Sequence, residues 1–343
     1  YHDELEYASE AEKWLQMAAT ESDKLITSGR YEIYNTGHPQ EDYFNMYRID
    51  DKSDLKEAVL YVDYKTNIRE HNMAAAGREA GCGFSKSFVE SFLCSDGLPI
   101  SLSNKYLGDE TMRKETANRD PRLKQLILTN DFPTNVTDDL KDSTFVVNED
   151  EFITQHCFTG YRPIKGFNPI YSQALYMKSS FDGIAYRYAE TLLINAEAKA
   201  ELNTITNADL DRTVNQLRDR VGMPHLTVNV GFTDPKWPDW GYSLSPVLQE
   251  IRRERCNELA GEGFRFNDLK RWKAGKLLNN VLTYVGKRKP DGNLAIVYPN
   301  YTNPDLSYQA GKSRTWEDKM YLYPIPTGEL QRNPQLLPQN PGW

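Results

Sequence analysis

The densest run of chemically capable side chains is Arg252, Arg253, Glu254, Arg255, Glu258, Glu262, Arg265, Asp268, Lys270 and Arg271. Glu258 and Glu262 are four residues apart and share one helix face, so with Asp268 they could supply the two carboxylates of a glycoside hydrolase. Their neighbours argue against it. A general acid needs an apolar, under-compensated setting, whereas adjacent guanidinium and ammonium groups hold carboxylates ionised. The expectation is an ion-pair network that fixes one helix against the following loop, with a helical glycoside hydrolase as the less favoured alternative.

A second kind of chemistry is stacking. The loop Asp234, Pro235, Lys236, Trp237, Pro238, Asp239, Trp240, Gly241, Tyr242 places two tryptophans and a tyrosine on a proline-stiffened polar segment. Trp237 and Trp240 are therefore candidate glycan contacts, since the C–H faces of sugar rings stack on aromatics while their hydroxyls need polar partners. The alternative is that the loop folds back as a plug. Tyr43 and Tyr47, with Phe44, His38 and Arg48 nearby, form a second candidate cluster. Tyr7, Trp14, Tyr186 and Tyr188 fall in helical pattern and are expected in the core.

Other chemistries find no support. No GxGxxG, GxxxxGK[ST] or GxSxG motif occurs. Cys82, Cys94, Cys157 and Cys256 form no CxxC pair, and the five histidines show no HExxH spacing, so neither a zinc site nor a disulfide scaffold is signalled. A Cys82–Cys94 bridge is open to the chain, but buried or idle thiols are the expectation. Asp138 and Asp139 would permit calcium; whether a metal binds is left open. A net charge of −8 disfavours nucleic acid as a partner. No apolar run reaches the length of a membrane span.

Helical periodicity sets the scaffold that must position these groups. Ala8, Ala11, Leu15, Ala18 and Leu25 line one face of a helix between Glu4 and Ser28 that Gly29 ends. A second helix runs from about Ile184 to Leu202, with Ala189, Leu192, Ala196 and Ala200 on one side. A third, capped by Thr206 or Asn207, carries Leu210, Val214, Leu217 and Val221 and closes at Gly222. These two form an antiparallel pair close in length to a tetratricopeptide repeat. Another helix starts at Ser245 with Pro246 in its first turn. Long aromatic-bearing segments lie between the helices, and aromatics argue that they are ordered. Aromatics make up 12% of the 343 residues, more than the helices need.

Three runs, in order, carry a family pattern: Tyr186-Arg-Tyr-Ala-Glu-Thr-Leu-Leu-Ile-Asn-Ala-Glu-Ala-Lys-Ala, Leu217-Arg-Asp-Arg-Val-Gly-Met-Pro, and Ile251 through Trp272. With Asp96-Gly-Leu-Pro-Ile, Asn118-Arg-Asp-Pro-Arg-Leu, Tyr323-Pro-Ile-Pro and Gln339-Asn-Pro-Gly-Trp, they resemble the SusD/RagB family over essentially the whole chain. The resemblance implies a mainly α fold of tetratricopeptide-like helix pairs with large ordered loops and a few short strands. It also implies a lipid-anchored outer-membrane protein of Bacteroidetes, facing outward from the cell, that captures oligosaccharides, delivers them to a SusC-like TonB-dependent transporter and is not an enzyme. Peptide capture, as in the RagB branch, is the alternative.

Family members are longer, so residues 1–343 resemble the C-terminal part of one such domain, with the anchor and the first helix pairs upstream. Within it, helix-pair units are expected at about 4–30 and 184–222, a ligand-loop region at about 38–183, and C-terminal helices with an extended tail at 245–343. The family's ligand loops correspond to Tyr64 through Phe84, which makes Arg69, His71, Arg78 and Phe84 further candidate glycan contacts. No cofactor is expected, with calcium left possible.

Overall fold

The computed structural model describes residues 10–73, 83–154, 156–283, 285–296 and 315–343. Tyr7, Arg78, Cys82 and the expected helix start at Glu4 lie outside these residues. The first part contains α1 (Ala11–Thr27), α2 (Asp42–Met46), β1 (Ala58–Val62), α3 (Lys86–Ser91), α4 (Met112–Thr116) and α5 (Pro121–Leu126). There follow β2 (Pro133–Val136), β3 (Ser143–Phe145), α6 (Tyr171–Ala174), β4 (Gly183–Arg187) and α7 (Tyr188–Glu201). The last part holds α8 (Asn207–Asp211), α9 (Val214–Arg220), α10 (Pro246–Glu258), α11 (Phe264–Arg271), β5 (Val285–Arg288), β6 (Leu294–Ile296) and α12 (Thr327–Arg332). The chain is mainly helical. Its described strands form three two-stranded antiparallel ribbons, β1–β4, β2–β3 and β5–β6.

α1 packs along α7, far away in sequence, because both present small side chains. Ala19 and Ser22 of α1 meet Asn195 of α7, whose buried amide donates to the Ala19 carbonyl at 3.1 Å and the Ser22 hydroxyl at 3.0 Å. Close approach of this kind requires small residues. Leu192, Leu193, Leu210, Val214, Leu217, Leu248 and Ile251 complete a helical core shared by α7 to α10. A second core, built on Phe92, Leu123, Leu126, Tyr161 and Phe167, lies under the long connections, so these segments are ordered by their own burial.

Three expectations change. The helix expected from Ile184 begins at Tyr188, because Gly183–Arg187 is drawn into the ribbon with β1. Tyr186 consequently points outward, and Trp14 is also exposed; of the expected helical aromatics described, Tyr188 is in the core. The helix expected from 207 to 221 is two. Thr206 caps α8 with a reciprocal capping box to Asp209, and the helix breaks at Thr213, whose hydroxyl donates back to the Asp209 carbonyl at 2.6 Å. A buried threonine bonded to its own backbone competes with helix continuation. At Ser245 the cap and the proline after it stand as expected.

Candidate ligand surface

Glu258, at the end of α10, has no exposed surface. Arg122 reaches it at 2.9 Å, Arg187 at 2.6 Å and Arg220 at 2.6 Å. Arg187 continues to Glu57 at 2.9 Å and to Glu262 at 2.7 Å, and Lys165 adds a 2.6 Å contact to Glu262. Burial alone would raise the pKa of Glu258, but Arg220, Arg187 and Arg122 override it and hold the carboxyl well below the usual range. Glu262 feels the same opposition, with burial raising and Arg187 and Lys165 lowering, and is pushed down to about 2. These carboxylates are held ionised, unsuited to general acid work. Their arginine partners come from α5, β4 and α9, not from the local run Arg252–Arg271. That run is spent elsewhere: Arg252 pairs with Glu201, Arg253 with Asp234, and Arg255 and Arg271 with Asp268.

The tyrosines expected to stack on sugar belong to this interior. Tyr43 is 0% exposed; its hydroxyl donates to the Glu258 carbonyl at 2.6 Å and accepts from Lys165 at 2.8 Å. Tyr47 packs edge-on against it and donates to Glu262 at 3.2 Å. Burial raises both hydroxyls well above the ordinary tyrosine range. Tyr43 therefore offers no face to a ligand, which corrects its assignment. Trp240 is corrected too: it is 5% exposed, meets Trp272 edge-to-face at 5.4 Å, carries the Arg252 guanidinium over its ring at 4.9 Å and donates to Gln249 at 2.6 Å. Half-buried Trp237 donates to Glu250 at 2.7 Å. The loop is the plug, driven by the area that two indoles bury. Phe84 stacks on Phe88 at 4.4 Å against the second core.

Arg69 and His71 do reach the surface region, where two distant segments are joined. His71 and Ser179 exchange backbone hydrogen bonds of 2.9 and 3.1 Å. Asn72 accepts from the Met177 amide at 3.1 Å, Lys178 pairs with Glu70 at 3.0 Å, and Asp182 accepts from the Tyr64 amide at 2.7 Å. The His71 imidazole lies edge-on between Tyr64 (4.5 Å) and Phe181 (4.6 Å). It shares hydrogen bonds with the Phe181 carbonyl at 2.8 Å and the Met73 amide at 3.0 Å, which fixes a neutral tautomer with Nε2 as donor. Burial lowers its pKa, in the same sense. His71 is thus a brace for the surface. Arg69 lies over the Tyr64 ring at 4.9 Å.

This bracing holds side chains outward that the sequence reading passed over. Tyr176 is 74% exposed and Tyr171 54% exposed, with Leu175, Met177, Ile68 and Met73 also open to solvent. Large apolar side chains on one ordered patch mark binding surfaces. The available signal was Tyr171 and Tyr176 inside one long aromatic-bearing connection; the pairing of residues 64–73 with 171–182 could not be read locally. Asp138 accepts from the Ser172 amide at 2.9 Å, tying two distant segments, and Asp139 accepts from the Thr137 hydroxyl at 2.7 Å within its own turn. Among the described residues there is no group of three or more His, Cys, Asp or Glu able to hold a metal ion. Cys94, Cys157 and Cys256 are free thiols, and no described helix is long and apolar enough to cross a membrane.

A helical scaffold with an ordered loop face of this kind is the architecture of a known family. Residues 26–343 match the SusD family, and the chain belongs to it. It is 32% identical over 166 residues to SusD-like protein P2 of Formosa agariphila, a match covering 48% of this chain and 27% of that relative. A SusD-like protein from Bacteroides fragilis superimposes with a TM-score of 0.67 at 25% identity, over 96% of this chain and 62% of the other. A SusD-like carbohydrate-binding protein from Bacteroides fragilis gives a TM-score of 0.65 at 22% identity, over 94% of this chain and 61% of that one. The chain thus spans less than two thirds of the length of these relatives.

Proposed function

We propose that this protein captures oligosaccharides at the outer membrane, on the surface built from residues 64–73 and 171–182, and passes them to a SusC-like TonB-dependent transporter without chemical change. The observation that carries the reading is a braced, solvent-facing surface where Tyr171 and Tyr176 stand among hydrogen-bonding side chains, the combination a sugar ring requires. The family supports it, since SusD proteins are in general outer-membrane-associated lipoproteins, and a structural neighbour is named as carbohydrate-binding.

Peptide capture would be favoured by an acidic cleft. The cleft lined by Glu32, Tyr34, Asp51, Asp54 and Glu57 has a volume of about 370 Å³. Half of its acids are paired, Glu32 with Lys56 and Glu57 with Arg187 and Arg220, and it presents no exposed aromatic pair like Tyr171 and Tyr176. The aromatic surface is the better candidate. Calorimetric titration of the full protein against a panel of plant and host oligosaccharides tests the proposal. Micromolar binding of one glycan class that is weakened by Tyr176→Ala supports it; binding of peptides and of no glycan overturns it.

A further inference from the structure

Resting on the glycan reading, we infer that the ligand is an anionic sugar, one bearing carboxylate or sulfate, recognised by Arg69 and Lys65 at the edge of the aromatic surface. The two residues face each other across a tight turn. The Lys65 amide donates to the Arg69 carbonyl at 2.8 Å, and the Arg69 amide to the Lys65 carbonyl at 2.9 Å. Asn67 allows the reversal by adopting a left-handed conformation with φ 61°. Directly opposed residues of such a bridge have Cβ atoms roughly 5 Å apart, so both cations can reach one ligand group.

They stand beside the aromatic surface, and neither is spent. In this acidic chain, the arginines around Glu258, Glu197 and Asp268 are committed to carboxylates. Exposed Arg69 and Lys65 make no ion pair among the described residues. The acid beside Arg69 cannot serve, because Glu70 is turned to Lys178 at 3.0 Å and also accepts from the Asn67 amide at 3.3 Å. Those hydrogen bonds hold the Glu70 carboxyl below its ordinary pKa, consistent with its being occupied.

The Arg69 guanidinium rests on the Tyr64 ring at 4.9 Å, and Tyr64 is itself anchored through Asp182. The planar fork is thereby oriented, with no ion pair to its N–H groups among the described residues, which suits bidentate capture of a carboxylate or sulfate. Exposed Asp63, which directly follows β1, makes no ion pair among the described residues. A sugar stacked on Tyr176 or Tyr171 would thus have a positive rim at one edge.

The test uses the full chain and four probes: oligogalacturonate, its methyl ester, a sulfated galactan oligosaccharide and the unsulfated counterpart. The expected result is preference for at least one charged member over its neutral partner. The uronate pair and the sulfate pair separate the two sources of negative charge. Arg69→Ala should weaken binding of the charged probe by roughly tenfold, and Lys65→Ala by about threefold, with both effects shrinking in high salt. Both side chains are exposed, so melting temperature should not move. Equal binding of charged and neutral members, or Arg69→Ala without effect on the charged one, overturns the anionic inference while leaving the glycan reading intact. Binding of acidic peptides and of no glycan overturns both.

Discussion

Two regions of this protein use the same residue types to opposite ends. Around Glu258, arginine, glutamate and tyrosine are closed off from water and paired with one another; between residues 64 and 73, Glu70 and Tyr64 are engaged by Lys178, His71 and Arg69, but the arginine itself stands at the surface with contacts to spare. The difference lies in what surrounds them. In the interior, an arginine without its carboxylate would be an unpaid desolvation cost, so Arg122, Arg187 and Arg220 converge on one anion. At the surface water satisfies Arg69, and the residue remains available. Residue type therefore says little about binding until exposure is known.

The largest break in this comparison comes from removing the shared anion. Glu258→Ala leaves three buried guanidinium groups with their central carboxylate gone and should destabilise the protein by about 3–5 kcal/mol. A drop of several degrees in melting temperature checks it, with glycan affinity of the folded fraction unchanged. Loss of binding at full stability would move the functional site into the interior. Trp240→Ala follows, at roughly 3 kcal/mol, because it empties the space its indole fills against Trp272 and the Arg252 guanidinium. Thermal melts should show that loss, and titration should show affinity retained.

These two variants also mark what could and could not be read from sequence. The helical scaffold was legible at Ala189, Leu192, Ala196, Ser245 and Pro246, because periodicity and caps act over a few residues. That the charged motif was structural was legible from its arginine content. Its wiring was not: Glu258 pairs with residues from three other elements, and no local spacing encodes a contact between residues 122 and 258. The same limit governed the aromatics. Tryptophans in a polar loop suit a sugar and suit a plug equally well, and for Trp240 burial decided the matter. Tyr176 drew no attention in its connection because its exposure depends on Asn72 and His71 bracing the backbone from more than a hundred residues away.

An acid titration sharpens the contrast by a smaller amount. Glu262 is held down to about 2 in the folded protein, against an ordinary glutamate value near 4.5. The unfolded chain therefore takes up a proton at higher pH than the native one. The stabilisation from this group is complete above the unfolded pKa and is lost as pH falls from about 4.5 towards 2, at most about 3 kcal/mol in all. Urea unfolding at pH 6, 4 and 2.5 should show the decline, and Glu262→Gln should flatten it. A wild-type profile level across this window would mean that the interior carboxylates are less tightly paired than their distances imply.

The smallest effect is the most telling, because it should appear in binding and nowhere else. Tyr176 lends most of its ring to solvent, so Tyr176→Ala removes almost no buried area and leaves no cavity. The melting temperature should stay within about a degree, as for most surface substitutions. A sugar stacked on that ring would lose about 0.5–1.5 kcal/mol, up to roughly tenfold in affinity, and Tyr171→Ala combined with it should deepen the loss if one ligand spans both rings. Tyr43→Phe supplies the opposite pattern: it deletes a hydroxyl bonded to Glu258 and Lys165 in the interior, so stability should fall while affinity holds. Should the Tyr176 variant melt early, or the Tyr43 variant lose its ligand, the division between a paired interior and an available surface would be drawn in the wrong place.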